Sequence, residues 1–142
     1  MALNVLVVDD SCVMRAMIVR TLRLSGLPVS EIYEAGDGAE ALALLERNWI
    51  DLALVDINMP IMDGEEMLCR IRENPETDDL AVVVVSTESS ETRIQALRSK
   101  GARFVHKPFT PESIRDTIVD LTGVSDEPMP DDSAIRDSGP DF

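Results

Sequence analysis

Three short, uninterrupted apolar runs constrain this chain more than anything else in it: Val5-Leu6-Val7-Val8, Leu52-Ala53-Leu54-Val55 and Ala81-Val82-Val83-Val84-Val85. A strand with one wet face alternates apolar and polar side chains, whereas a strand covered by helices on both faces reads as continuous Val, Leu and Ile. The runs therefore predict inner strands of a parallel sheet. Residues 29–35 and 103–106 read as weaker strands, and helix-period stretches separate all five. Such strict alternation of strand and helix predicts an α/β domain.

The helices carry their own punctuation. The first is predicted from Ser11 to Ser25, with Met14, Met17, Ile18, Thr21 and Leu22 at core spacing and Gly26 just beyond. Asp37 caps the second, which runs to Asn48, with Glu40 three residues on and Ala41, Leu42, Leu44 and Leu45 as its apolar stripe. The third spans Gly64 to Glu73 and stops before Pro75. Ser90 to Lys100 forms the fourth, ending in Arg98, Lys100 and Gly101. Thr110-Pro111 opens the fifth, with Ile114, Ile118 and Leu121 on one face.

A chain of 142 residues has room for one such domain. From Ser125 the composition changes: the last 18 residues hold six acids, one arginine and three prolines, the mark of a disordered, solvating tail. The predicted division is a domain over residues 1–122 and an acidic tail over 123–142. No apolar run approaches the roughly 18 to 20 residues that span a bilayer, and no basic stretch leads into a signal-peptide core, so neither membrane insertion nor export is expected and the cytoplasm is the expected compartment. With 27 acidic residues against 13 basic ones, a net of −14, phosphate backbones would be repelled over most of the surface and no nucleic-acid partner is expected. Cys12 and Cys69 lack the spacing of a zinc site, and the single histidine, His106, cannot form a cluster.

Right-handed crossovers put the carboxyl ends of all parallel strands on one edge, where ligands collect. The residues brought to that edge can be read off directly: Asp9 and Asp10 after the first strand, Asp56 after the third, Ser86 at the end of the fourth and Lys107 after the fifth. Three carboxylates in one crevice repel one another unless a cation neutralises them. Oxygen donors, few of them from protein and with room for water, favour magnesium over calcium. A carboxylate beside magnesium, with an ammonium and a hydroxyl aimed at the same spot, is equipment for handling a phosphoryl group.

The motifs Val7-Val8-Asp9-Asp10-Ser11, then 54–64 reading Leu-Val-Asp-Ile-Asn-Met-Pro-Ile-Met-Asp-Gly, then Ser86, then Lys107-Pro108-Phe109, resemble in combination and order a bacterial response-regulator receiver domain of the CheY type over residues 3–122. The resemblance implies a flavodoxin-like, doubly wound five-stranded sheet in the order 2-1-3-4-5 with five helices. It implies that Asp56 accepts a phosphoryl group from a histidine kinase or phosphotransfer protein. Asp10 and Asp56 would bind magnesium directly, the backbone carbonyl of Asn58 would be a third ligand, and Asp9 would act directly or through water. Ser86 matches the switch hydroxyl and Lys107 the phosphoryl-pairing lysine, with a cis bond to Pro108. Phe104 occupies a switch position often held by tyrosine, so the surface near it is expected to meet a downstream protein target. In receivers the positions of Asn58 and Glu88 flank the path of the water that hydrolyses the acyl phosphate.

Two functional readings follow within the resemblance: a stand-alone chemotaxis or motility regulator, and a single-domain phosphorelay shuttle. A magnesium phosphatase with an aspartyl nucleophile is the enzyme alternative. Such enzymes need a second acid two residues after the nucleophile, and here that residue is Asn58, which cannot protonate a leaving group. The chain is therefore expected to catalyse only its own phosphoryl transfer and dephosphorylation. Cys12 and Cys69 are expected on opposite faces of the sheet as free thiols, Met59 and Met62 as loop packing, His106 in a plain edge role, and Trp49 as a partly buried anchor at a helix end.

Overall fold

A computed structural model describes residues 2–56, 64–86 and 90–123. The elements follow in strict alternation: β1 (Leu3–Val8), α1 (Cys12–Leu24), β2 (Val29–Ala35), α2 (Gly38–Arg47), β3 (Leu52–Val55), α3 (Gly64–Glu73), β4 (Ala81–Ser86), α4 (Glu91–Ser99), β5 (Arg103–His106) and α5 (Pro111–Thr122). All strand pairs are parallel, and the sheet order is β2-β1-β3-β4-β5, as expected.

Residues of the three apolar runs divide between the two faces of the sheet with period two. Leu6, Val8, Ala53, Val55, Val82 and Val84 join one buried cluster with Met67, Leu68, Ile71 and Leu97 of α3 and α4. Val5, Val7, Leu52, Leu54, Val83 and Val85 join the other, with Ile18 and Leu22 of α1 and Ile114 and Ile118 of α5. Each fully buried Val, Leu or Ile is worth about 1.5–3 kcal/mol relative to exposure. A helix cap is worth typically about 1 kcal/mol. The double core therefore sets the architecture, and the caps set where helices begin.

Those caps form where the sequence puts them. Ser11 accepts from the Met14 amide, Asp37 from the Glu40 amide at 2.8 Å, and Ser90 from the Arg93 amide. Glu40 reaches back to the Gly36 amide at 2.6 Å, one residue earlier than a standard capping box would have it. Thr110 and Ser113 form a full box at α5. Gly101, with φ of +83°, ends α4 in the left-handed region that a side chain would strain.

Three expectations need correction. Met17 is 52% exposed, because α1 is sealed against one sheet face and α5 and its buried seam narrows to Ile18 and Leu22, with Met14 partly buried beside them. Trp49 is 79% exposed and anchors no core. Its backbone carbonyl accepts from the Asn4 side chain and its indole N–H donates to Asp51, so the turn is pinned with the ring outside. Thr21 is half-buried but its hydroxyl donates to the Met17 carbonyl, which is a helix-surface role. Cys12 is exposed and Cys69 half-buried, both free thiols. Met59, Met62 and the acidic stretch from 124 lie outside the described residues.

Candidate functional site

Backbone hydrogen bonds continue beyond the strand ends and hold the site residues in place. The Asp9 amide donates to the Ala35 carbonyl at 3.1 Å, the Asp56 amide to the Val8 carbonyl at 2.9 Å, and the Lys107 amide to the Ser86 carbonyl at 2.9 Å. The residues following β1, β3 and β5 are thus registered against neighbouring strands rather than carried on free loops. The Lys107–Pro108 peptide bond is cis.

Asp9, Asp10 and Asp56 each offer a carboxylate oxygen, and these three atoms lie within 4.8 Å of one another. Asp9 is 2% exposed and Asp56 9%, while Asp10 faces solvent. Asp9 uses Oδ1 to accept from the Ser11 amide at 2.9 Å. Its Oδ2 is fully buried without a hydrogen bond, and Lys107 Nζ stands 3.6 Å from it, an ion-pair distance too long for a hydrogen bond. Ser86, 1% exposed, ends β4 on the same edge.

One ammonium against three carboxylates leaves the crevice negative. A buried carboxylate oxygen without a hydrogen bond is costly unless a further charge meets it. The donors are all oxygens, two nearly buried and one open to water, which suits a hard divalent cation that keeps part of its hydration shell. Magnesium fits this donor set.

A residue the sequence reading passed over also shapes the crevice. Arg15, in the second turn of α1, donates from Nη1 to the Asp9 carbonyl at 2.6 Å and from Nε to Glu34 at 3.1 Å. It ties the loop after β1 to β2. The only signal for it is a base six residues after Asp9, and arginine is the commonest base in this chain.

Phe104 is partly buried against the α3 and α4 side of the core, and its ring meets that of exposed His106 edge-on at 4.6 Å. Both lie on β5, one of the sheet's two edge strands. The structure thus brings together Asp9, Asp10, Asp56 and Lys107, with Ser86 at the adjoining strand end and Phe104 two residues before the strand's last residue. Asn58 and Glu88 lie outside the described residues.

The sequence matches the family model for the response regulator receiver domain over residues 5–119. It is 34% identical over 123 residues to the chemotaxis protein CheY homolog of Campylobacter jejuni, covering 85% of this chain and 93% of that protein. It is 38% identical over 112 residues to the two-component response regulator ORR3 of rice, covering 78% of this chain and 84% of that one. Among solved structures, chemotaxis protein CheY4 of Vibrio cholerae is similar with a TM-score of 0.75 at 33% identity, covering 85% of this chain and 99% of CheY4.

Proposed function

This chain belongs to the response regulator receiver domain family, and from that premise we propose that Asp56 accepts a phosphoryl group from a histidine kinase or a histidine phosphotransfer protein. Receivers of this family are phosphorylation-activated switches of two-component signalling. The observation that carries the specific reading is the meeting of three carboxylate oxygens within 4.8 Å beside the Lys107 ammonium.

In this reading the Asp56 carboxylate oxygen attacks phosphorus as the phosphorus–nitrogen bond to the donor imidazole breaks. Asp10, Asp56 and the backbone carbonyl of Asn58, with Asp9 directly or through water, would hold magnesium, which would supply neutralisation of the phosphoryl oxygens. The Lys107 ammonium pairs with one phosphoryl oxygen and the Ser86 hydroxyl donates to another. Drawing Ser86 toward the phosphoryl group vacates space that the Phe104 ring fills, which changes the surface around β5 that a downstream protein reads. The phenyl ring fills space as a tyrosine would but brings no hydroxyl, so the complementary surface is apolar at that point.

Residues 1–122 act as the receiver and the acidic stretch from 123 as a solvating extension. The chemotaxis names of the Campylobacter jejuni and Vibrio cholerae proteins support a chemotaxis or motility pathway, and the cytoplasm is the compartment proposed for it. No helix among the described residues is long and apolar enough to cross a membrane. Transfer of radiolabelled phosphoryl from an autophosphorylated histidine kinase tests the reading. Label should reach this chain in magnesium, fail to do so in excess EDTA, and be released by hydroxylamine as an acyl phosphate is. Label resistant to hydroxylamine would overturn it.

A further inference from the structure

Trp49 is the chain's only tryptophan and the most exposed large apolar side chain among the described residues. It precedes β3, whereas Asp56 follows it, so the two lie at opposite edges of the sheet, roughly 20 Å apart at a strand's rise per residue. An indole left in water forgoes the stabilisation that burying so large a ring would bring. Here the ring is held in place: its N–H donates to Asp51 Oδ1 at 3.0 Å, Asp51 Oδ2 accepts from the Asn4 amide at 2.9 Å, and the Asn4 side chain returns to the Trp49 carbonyl at 2.9 Å. Three residues on two strand entries thus preset one surface aromatic.

The ring borders a cleft of about 650 Å³ between the α2–β3 turn and the turn before β4. Four acids, Glu46, Asp51, Glu76 and Asp79, line it with a single base, Arg47, and of the four Asp79 also faces the nearby Arg72 guanidinium. Glu46 and Glu76 are exposed and make no ion pair among the described residues. A preset aromatic face rimmed by unneutralised carboxylates is complementary to a cationic side chain, best to guanidinium, which stacks on indole while its donors reach carboxylates. A neutral or acidic segment would leave those carboxylates desolvated and unmet.

We propose that this cleft is a docking site for an arginine-containing segment of a partner protein, separate from the phosphoryl site and independent of its chemistry. One guanidinium stacks on Trp49 and neighbouring bases pair with Glu46 and Glu76. The ring is its own reporter, since no other tryptophan emits.

The test uses the full chain and a capped hexa-arginine peptide at about 0.15 M ionic strength, where long-range attraction to a net-acidic protein is screened. Trp49 fluorescence should change saturably, and calorimetry should give a single class of site. Trp49→Ala, or Glu46→Gln with Glu76→Gln, should weaken binding roughly tenfold, as loss of a partly desolvated cation–π contact or of two charges predicts. Removing two acids elsewhere, Glu31→Gln with Glu112→Gln, should leave affinity within about twofold, because additive effects are small for distant sites. Phosphoryl labelling of Asp56 should be the same in all of them. The proposal is overturned if the peptide does not bind, if Trp49→Ala binds it equally, or if both glutamate pairs weaken it alike, which would mean general charge attraction. Concentration-dependent self-association abolished by Trp49→Ala, without peptide binding, would assign the cleft to a second copy instead.

Discussion

Asp9 and Asp10 are neighbours in the chain but not in environment. Asp9 is buried, with one oxygen on the Ser11 amide and the other facing Lys107 at 3.6 Å, while Asp10 is open to water. The pair was legible through its company, since an Asp-Asp after a strand alone is often a helix cap, whereas Asp56, Ser86 and Lys107 stand at the successive strand ends beside it. Which of them is enclosed was not, because that depends on the crossover into α1 and on Arg15 holding the Asp9 carbonyl. Lys107 carries a prediction of its own. Lys107→Ala or Lys107→Arg should leave magnesium binding intact yet abolish phosphorylation-dependent partner binding, because a planar guanidinium misplaces the single point contact of an ammonium. A pull-down with and without beryllofluoride reads this; unchanged partner capture by either variant would remove the coupling role. The two flanking positions predict lifetime. Asn58→Met with Glu88→Leu should lengthen the decay of the labelled protein, by analogy with shielding of an acyl phosphate from water, and an unchanged or shorter lifetime would refute water positioning.

At the scale of elements, the inner strands and the helix starts were legible because each is specified locally. A doubly covered strand must be continuously apolar, and Ser11, Asp37, Ser90 and Thr110 satisfy amides three residues on. What was not legible is held by contacts distant in sequence. Trp49 reads as an anchor at a helix end, yet Asn4, 45 residues away, fixes its backbone with the ring outside. Arg72 is a second case. From α3 its guanidinium donates to the carbonyls of Lys100 at 2.7 Å, Leu80 at 2.8 Å and Asp78 at 3.0 Å, joining the end of α4 to the approach to β4. Burial draws its pKa below the ordinary arginine value, against the opposing charges of Asp78 and Asp79, and arginine remains cationic at neutral pH regardless. Arg72→Ala strands three carbonyls and should cost about 2–3 kcal/mol, the worth of hydrogen bonds to one charged group. A thermal melt should register this as a fall of roughly 10 °C for a domain near this size. A fall under about 2 °C would mean that water replaces the guanidinium without loss.

For the molecule as a whole, chemistry sits at the carboxyl ends of the strands and the Trp49 cleft at their amino ends, with the length of the strands between and an apolar layer on each face of the sheet. Strand identity and the acidic crevice followed from the sequence because parallel α/β topology brings all strand ends to one edge, whereas the strand order came from the resemblance to receiver domains. The division at residue 122 predicts that removing the acidic stretch after Gly123, which caps α5 by donating to the Val119 carbonyl at 2.8 Å, leaves fold and phosphorylation intact. A melting temperature lowered by more than about 4 to 8 °C, equivalent to roughly 1 kcal/mol, would show that the stretch packs on the domain. Asp56 alone among the clustered acids is expected to take the phosphoryl group. Intact-mass measurement after incubation with acetyl phosphate and magnesium tests it most directly. The parent chain should gain a single phosphoryl group and Asp56→Asn none; equal labelling of the two would contradict the assignment.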